Sequence, residues 1–334
     1  MTDHRVLLVG RARDAEHSRL AEDLHRAGIP WTRLNVDELE AVKCTVDLAT
    51  RTITFGDVSF LPTVTWIRHF SMRATSAQGD DTAATMLRDD SWEALVAQLA
   101  ALSRTTIGLD APGQLRQLTD AARLGTRVPR TTVTTDVAEA LRSAADRKVV
   151  VKTVDRHYVE PLPGQFSWFH PQLFPPGRTP SAAALPHGVP TLAQDGLPVV
   201  VQEYVPHRTE IRLYLVGTRA HAFTVRKHEP SDIWLRPETV RVRQVEPPAD
   251  VLDTVRRLAE LWNLRYGAFD FLIDDAGPVF LEMNAHGDWR WYERQAGVDD
   301  VSRAVSHLVA SLHRSAGGDD GAFDLLTFLS ARRT

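Results

Sequence analysis

Asp270 and Glu282 flank a short turn, Asp275-Ala276-Gly277, within two runs of alternating apolar character, Phe269 to Ile273 and Val279 to Met283. Such runs around a Gly-containing connection read as a β-hairpin, with Gly277 in the left-handed position of a three-residue loop. Setting Asp274 opposite Pro278 pairs Phe269 with Met283, Phe271 with Leu281 and Ile273 with Val279 on one apolar face. Strand alternation then puts Asp270 directly across from Glu282 on the other face, with Asn284 two residues further along. Like charges so placed destabilise a sheet, and a cation reverses that cost. Carboxylate and amide oxygens are hard ligands suited to Mg²⁺, which keeps waters and is held by one or two carboxylates plus substrate phosphates. A solvated acidic face is the alternative for this hairpin read alone.

Other residues supply the matching charge. Lys152 lies in the apolar strand Val149-Val150-Val151-Lys152. A buried ammonium needs an anionic partner, which phosphate oxygens provide, whereas an exposed edge position needs none. Glu210 and Arg212 flank Ile211 and share a strand face, offering a carboxylate for ribose or substrate and a guanidinium for phosphate or carboxylate. A structural ion pair is the competing reading. Arg226 and Lys227 close the next strand and add positive charge. Gln202-Glu203-Tyr204-Val205 leaves a strand where backbone groups can meet a planar base. No Walker-type Gly-x-x-x-x-Gly-Lys loop occurs, so a P-loop is excluded.

These residues need a scaffold of several units. Residues 5–10, 31–35 and 63–68 read as strands, with a helix from Asp14 to Gly28 and another from about Ser91 to Ser103. Residues 1–110 thus form an N-terminal α/β domain, ended by the turn-rich Gly108 to Gly113. Residues 111–200 form a central α+β unit with a helix from Gln114 and strands at 128–133 and 148–153. Residues 201–315 form a second one, with a hairpin over Gly217-Thr218, helices at 251–261 and 301–313, and the acidic hairpin between them. Between 154 and 197 lies a Pro- and aromatic-rich stretch without pattern, expected to be a lid or binding loop. Residues 316–334 are a linker and an amphipathic tail, Phe323 to Leu329, read as packing on the body, with a homodimer contact as the alternative.

The 334 residues suit two or three domains. A net charge of −4 gives no general drive toward nucleic acid, and no apolar run approaches the ~20 residues of a membrane span. The N-terminus passes directly into a strand pattern without a signal-peptide apolar region, so a cytoplasmic protein is expected. The single Cys44 excludes intrachain disulfides and thiolate metal sites.

In the order Lys152, Gln202 to Val205, Glu210-Ile211-Arg212, Asp270 and Glu282-Met283-Asn284, the chain resembles the ATP-grasp superfamily over about residues 110–312. The resemblance implies ATP between two α+β subdomains that follow an α/β pre-ATP-grasp domain. It implies Lys152 on the phosphates, Gln202, Glu203, Tyr204 and Val205 as the adenine hinge, and His207 and Glu210 at ribose or substrate. Asp270, Glu282 and Asn284 would then hold two Mg²⁺ ions. Two phrases, Thr65-Trp66-Ile67-Arg68-His69 and Glu282-Met283-Asn284-Ala285-His286-Gly287-Asp288-Trp289-Arg290-Trp291, are similar to the Trp-Tyr-Arg-Arg and Glu-Val-Asn-Pro-x-Gly-Gln-Trp-x-Trp phrases of microviridin-type graspetide synthetases. His69 replaces the second Arg, Ala285 the Pro and Asp288 the Gln, while Gln114 stands where many relatives carry Lys.

The resemblance further implies a ligase that phosphorylates Asp or Glu side chains of a ribosomally made precursor peptide. A Ser or Thr hydroxyl, or a Lys amine, of that peptide then displaces phosphate from the acyl phosphate and closes an ω-ester or ω-amide ring. On this expectation Lys152 and Arg212 stabilise the developing charge, Arg226 binds the acyl phosphate, and Arg68, His69, Glu210, Trp289 and Trp291 meet the peptide. The tail Phe323 to Leu329 is also readable as a mimic of a leader helix. A small-molecule carboxylate–amine ligase, or one adding an amino acid to a peptide, shares every motif up to Asn284. A nucleotide-dependent scaffold protein is the reading outside enzymology.

Overall fold

The computed structural model describes residues 3–72, 83–109, 111–155, 157–162, 165–177, 192, 196–229 and 232–318. The N-terminal part runs β1 (Asp3–Gly10), α1 (Ala15–Arg26), β2 (Trp31–Asn35), β3 (Cys44–Asp47), β4 (Thr52–Phe55), β5 (Val58–Ile67), α2 (Ala83–Leu102) and β6 (Thr105–Ile107). Its sheet has the order β2-β1-β5-β4-β3, with β6 also on β5. Strand β1 is parallel to both neighbours and covered on both faces. Its residues therefore divide by parity: Val6 and Leu8 enter one core, Leu7 and Val9 another. Helix α1 starts where the Asp14 carboxylate accepts from the His17 amide at 2.7 Å, an N-cap.

The central part comprises α3 (Gln114–Arg123), β7 (Thr131–Thr134), α4 (Val137–Ser143), β8 (Val149–Thr153), β9 (Tyr158–Leu162), β10 (Gln165–Trp168), β11 (Gln172–Phe174) and β12 (Val199–Glu203). Strands β11-β8-β12-β7 form an antiparallel sheet, and β9 and β10 form a separate hairpin. The stretch expected to be patternless thus contains three strands; residues 178–191 and 193–195 lie outside the described residues.

The C-terminal part holds β13 (Thr209–Val216), β14 (Arg219–Arg226), α5 (Asp232–Leu235), β15 (Arg241–Val245), α6 (Ala249–Leu261), β16 (Tyr266–Asp274), β17 (Gly277–Asn284), α7 (Arg290–Ala296) and α8 (Asp300–His313). The sheet order is β15-β14-β13-β16-β17, every pair antiparallel. One face buries Leu213, Ala222, Phe269 and Phe280 against α6 and α3. The other face carries Tyr214 and Phe223 into a core shared with Trp66, Leu20, Trp289 and Val305, so the N-terminal sheet and the C-terminal lobe close on common apolar contacts. Trp66 and Trp289 stack there with ring centroids 6.0 Å apart, each hidden from solvent.

Strand β17 lies at a sheet edge, and α3 and the segment after it cover that edge. The Gln117 amide donates to Met283 O at 2.9 Å and accepts from Met283 N at 2.7 Å, while Phe280 N donates to Arg127 O at 2.9 Å. Among the described residues no helix is long and apolar enough to cross a membrane. The C-terminal tail Phe323 to Leu329 falls outside them.

Candidate active site

The acidic hairpin keeps its expected register at the ligand end and loses it at the turn. Ala268 pairs with Asn284, Phe269 with Met283 and Asp270 with Glu282. Beyond Asp270 the pairing slips, so that Phe271 faces Phe280 and Asp274 faces Gly277. The turn is therefore Asp275-Ala276 alone, with Gly277 at φ 110° on the strand side. The Asp274 carboxylate favours this tighter turn, accepting from Ala276 N at 2.8 Å and from both Arg127 terminal nitrogens at 2.7 Å. Leu281 absorbs the one-residue offset as a bulge, which leaves the two carboxylates opposite each other.

Arg212 pairs across strands with Asp270, and Asp270 with Glu282, giving a row of charges on one sheet face. Arg212 Nη1 lies 2.6 Å from Asp270 Oδ2. From the other sheet, Lys152 Nζ reaches Glu282 Oε2 at 3.1 Å, and Gln114 Nε2 donates to the same oxygen at 2.7 Å. Asn284 Nδ2 donates to Glu282 Oε1 at 3.3 Å. The row reads cation, carboxylate, carboxylate, cation. Burial raises the Asp270 carboxyl to about 6; Arg212 opposes the rise and Glu282 adds to it. Burial also pulls Glu282 upward, but the Lys152 ammonium and His157 outweigh it and hold that carboxyl at about 2. Arg212 is fixed between the rings of Tyr214 and Tyr292, at 5.5 and 5.2 Å from their centroids. Gly287 makes room for it, because a β-carbon there would stand 2.9 Å from Arg212 Nη2 and 2.4 Å from Ala268 Cβ.

Further along the same face, Glu210 accepts from His207 Nε2 at 3.2 Å and from Lys227 Nζ at 3.0 Å. Burial raises the Glu210 carboxyl, but Lys227 and His207 reverse the shift and leave it below its ordinary value. The strand-end segment is anchored at its start: Gln202 Nε2 donates to Thr131 Oγ1 at 3.0 Å, Glu203 N to Arg130 O and Tyr204 N to Lys148 O, each at 2.9 Å. Lys148 also lies over the Tyr204 ring, and the Val205 carbonyl is bonded to His207 Nδ1 at 2.8 Å.

Of the other expected site residues, Arg68 and Trp289 are buried, Trp291 is half-buried and Arg226 is exposed. Glu210 pairs with Val225 across the hairpin, so parity gives Lys227, and not Arg226, to the face of Arg212 and Asp270. Arg226 is exposed on the opposite face. Arg68 is fully buried: its Nε donates to Asp14 Oδ2 at 3.1 Å, Nη2 to Asp288 Oδ1 at 2.6 Å and Nη1 to Gly287 O at 3.3 Å. Trp289 is buried beside it, with Nε1 donating to Ser302 Oγ at 3.0 Å. Neither offers a surface to a peptide. Trp291 is half-buried against Tyr292. His69 remains at the surface next to Asp288, at a φ of 47°.

The loop joining β17 to α7 is held from several sides. Tyr214 Oη donates to Asp288 O at 2.5 Å, and Tyr266 Oη bonds Gly287 O. Glu16 Oε1 of α1 accepts from the amides of Trp289 and Arg290, capping α7 from another element. Sequence reading missed the positive roles of Gln114, Gln117, Tyr214, Tyr292 and Glu16. Of these, the i,i+3 spacing of Gln114 and Gln117 on one helix face was a usable signal.

No protein-family model and no curated protein matches the chain. Solved structures do. The macrocyclase MdnC of Microcystis aeruginosa, bound with its precursor peptide MdnA, superposes with a TM-score of 0.72 at 18% identity, over 92% of this chain and 99% of that one. The chain has the ATP-grasp fold. A RiPP-associated ATP-grasp ligase of Chryseobacterium gregarium, in complex with ADP and a leader and core peptide, gives a TM-score of 0.71 at 19% identity, over 93% and 97% of the two chains. The ATP-grasp ligase PsnB, complexed with a phosphomimetic minimal precursor, Mg and ADP, gives 0.69 at 18% identity, over 93% and 99%. In this ATP-grasp fold the donors fit a hard divalent cation. Among the described residues no three His, Cys, Asp or Glu side chains converge as a cage. Asp270, Glu282 and Asn284 instead offer two carboxylates and an amide, leaving the remaining positions to water and phosphate.

Proposed function

We propose that the chain is an ATP-dependent ligase that activates Asp or Glu side chains of a ribosomally made precursor peptide and closes ω-ester or ω-amide rings. The observation that carries this reading is the row Arg212, Asp270, Glu282, Lys152, with Asn284 beside it. Two facing carboxylates with cations at both ends suit a site for Mg²⁺ and phosphate more than a stability device. The fold shared with macrocyclases and precursor-peptide ligases supports the substrate class.

MgATP supplies the phosphoryl group and the charge neutralisation. Asp270, Glu282 and Asn284 would hold the metal, and Lys152, released from Glu282, takes the phosphates. Glu203 to Val205 line the base, and His207 and Glu210 the ribose or the substrate. Arg212, held rigid by two tyrosines, orients the carboxyl being activated and stabilises charge on the acyl phosphate. Residues 1–110 act as the pre-ATP-grasp domain, 111–200 and 201–315 as the two lobes around the nucleotide, in the cytoplasm.

The test uses the product of a short reading frame beside this gene, rich in Thr or Ser and Asp or Glu. Incubated with the protein and MgATP, that peptide is expected to lose water successively by mass spectrometry while ADP accumulates. A gain of one amino-acid mass would identify a ligase of the amino-acid-adding kind. An unchanged peptide mass with no accumulation of ADP would sink the proposal.

A further inference from the structure

Three features meet at His69. Its backbone is left-handed, at φ 47°, a conformation that L side chains rarely adopt and that persists only where surrounding contacts impose it. Its ring is partly open, with 28% of the side chain exposed. Its Nε2 lies 3.2 Å from Asp288 Oδ1, and that carboxylate is itself gripped by buried Arg68 at 2.6 Å. We infer that His69 and Asp288 form the proton-accepting pair for an attacking peptide hydroxyl, an inference that rests on the peptide-ligase reading.

The carboxylate orients the ring. A lone pair at Nε2 would face a carboxylate oxygen, so Nε2 carries the hydrogen and Nδ1 keeps the lone pair. Arg68 Nη2 lies 3.4 Å from Nε2, a longer and weaker contact than its bond to Asp288. The other charged or titratable groups near the ring are Asp14, Glu16 and His17 of α1, and His286, whose ring meets His69 edge-on at 5.5 Å. The pair is coupled to the activation site through one chain of contacts: Tyr214 Oη donates to Asp288 O and accepts from Arg212 Nε at 3.4 Å, and Arg212 holds Asp270.

In the step assigned to it, the hydroxyl hydrogen passes to Nδ1 of His69 as the oxygen's electron pair forms the bond to the acyl carbon. The carbon–oxygen bond to phosphate breaks, its electron pair leaving on phosphate. The imidazolium then gives its proton to water or to the departing phosphate.

Two measurements test this. In ligand-free protein labelled with ¹⁵N-histidine, the His69 signal, assigned by its loss in His69→Asn, is expected to show hydrogen on Nε2 and none on Nδ1; the reverse tautomer overturns the inference. Asparagine is chosen because it tolerates positive φ. In the ring-closing assay with the neighbouring acidic peptide, H69N is expected to slow closure about 100-fold. Hydroxylamine, which needs no base near neutral pH, should still capture the activated carboxyl as hydroxamate at the wild-type rate. The wild-type pH profile for closure should carry an acidic limb, the rate falling as the base is protonated, that H69N lacks. Unchanged closure, or equal loss of closure and hydroxamate, overturns the inference. Wild-type protein that yields neither rings nor hydroxamate rejects the peptide-ligase reading and the inference with it.

Discussion

Two arginine–carboxylate clusters lie on either side of Gly287, and they are built from the same residue types to opposite ends. Around Arg68 the guanidinium is wholly buried and shared among Asp14, Asp288, Glu16 and the Gly287 carbonyl. Around Arg212 the carboxylates face each other, and Glu282 is reached by Lys152 from another sheet and by Gln114 from α3. The first cluster joins the N-terminal sheet to the loop before α7, with His69 beside Asp288 at its rim. The second sets Asp270 against Glu282 with a protein cation at each end, Arg212 and Lys152. On the proposed function, burial of charge marks a joint in one place and a binding site in the other. What separates them is whether the negative groups are divided among donors or set against one another.

Breaking each cluster should have opposite consequences. Arg68→Met leaves the Asp14 and Asp288 carboxylates without their buried partner and is expected to cost about 3–5 kcal/mol in urea unfolding. Wild-type stability in that variant would make the joint dispensable. Glu282→Gln is expected to lower MgATP turnover roughly a thousandfold. Its stability should change by less than about 1 kcal/mol, because a like-charge pair is removed together with the Lys152 contact. Unfolding of that variant would erase the distinction between the clusters.

Gly287→Ala probes the boundary between them. Its β-carbon would overlap Ala268 Cβ at 2.4 Å and crowd Arg212, so about 1–3 kcal/mol of stability should be lost together with part of the turnover. The smallest effect concerns pH. Asp270 must lose its proton to bind a cation, and its carboxyl is raised to about 6. Mg²⁺ affinity measured by calorimetry should therefore be full above that value and fall about tenfold per pH unit below it. Asp270→Asn should abolish that slope; its persistence would place the titrating group elsewhere.

The acidic hairpin was legible because its signal is local: period-two alternation around one turn fixes which side chains share a face, and a bulge at Leu281 preserved that result when the turn shortened. Lys227 was legible by the same logic, since the Gly217-Thr218 turn sets Glu210 opposite Val225, but Arg226 was preferred on charge alone. The Arg68 joint was not readable, because its partners Asp14 and Asp288 come from opposite ends of the chain and no periodicity links them. Strand β15 was missed for a physical reason as well. Arg241-Val242-Arg243-Gln244-Val245 is an edge strand with only Val242 deeply buried, so its apolar signal is faint. His69 and Asp288 both depart from the microviridin-type phrases, and only the fold shows that the two departures touch.

The covering of β17 by Gln117 and Arg127 has a consequence for how a guest chain is read. The backbone groups of Met283 and Phe280 that would hydrogen-bond to an added strand are already satisfied by a side-chain amide and a loop carbonyl. A peptide therefore cannot extend this sheet alongside Glu282 and Asn284 and have its main chain measured there. On the proposed function, recognition beside the site falls on side chains and local shape, a mode that admits the same reacting carboxyl in different sequence surroundings.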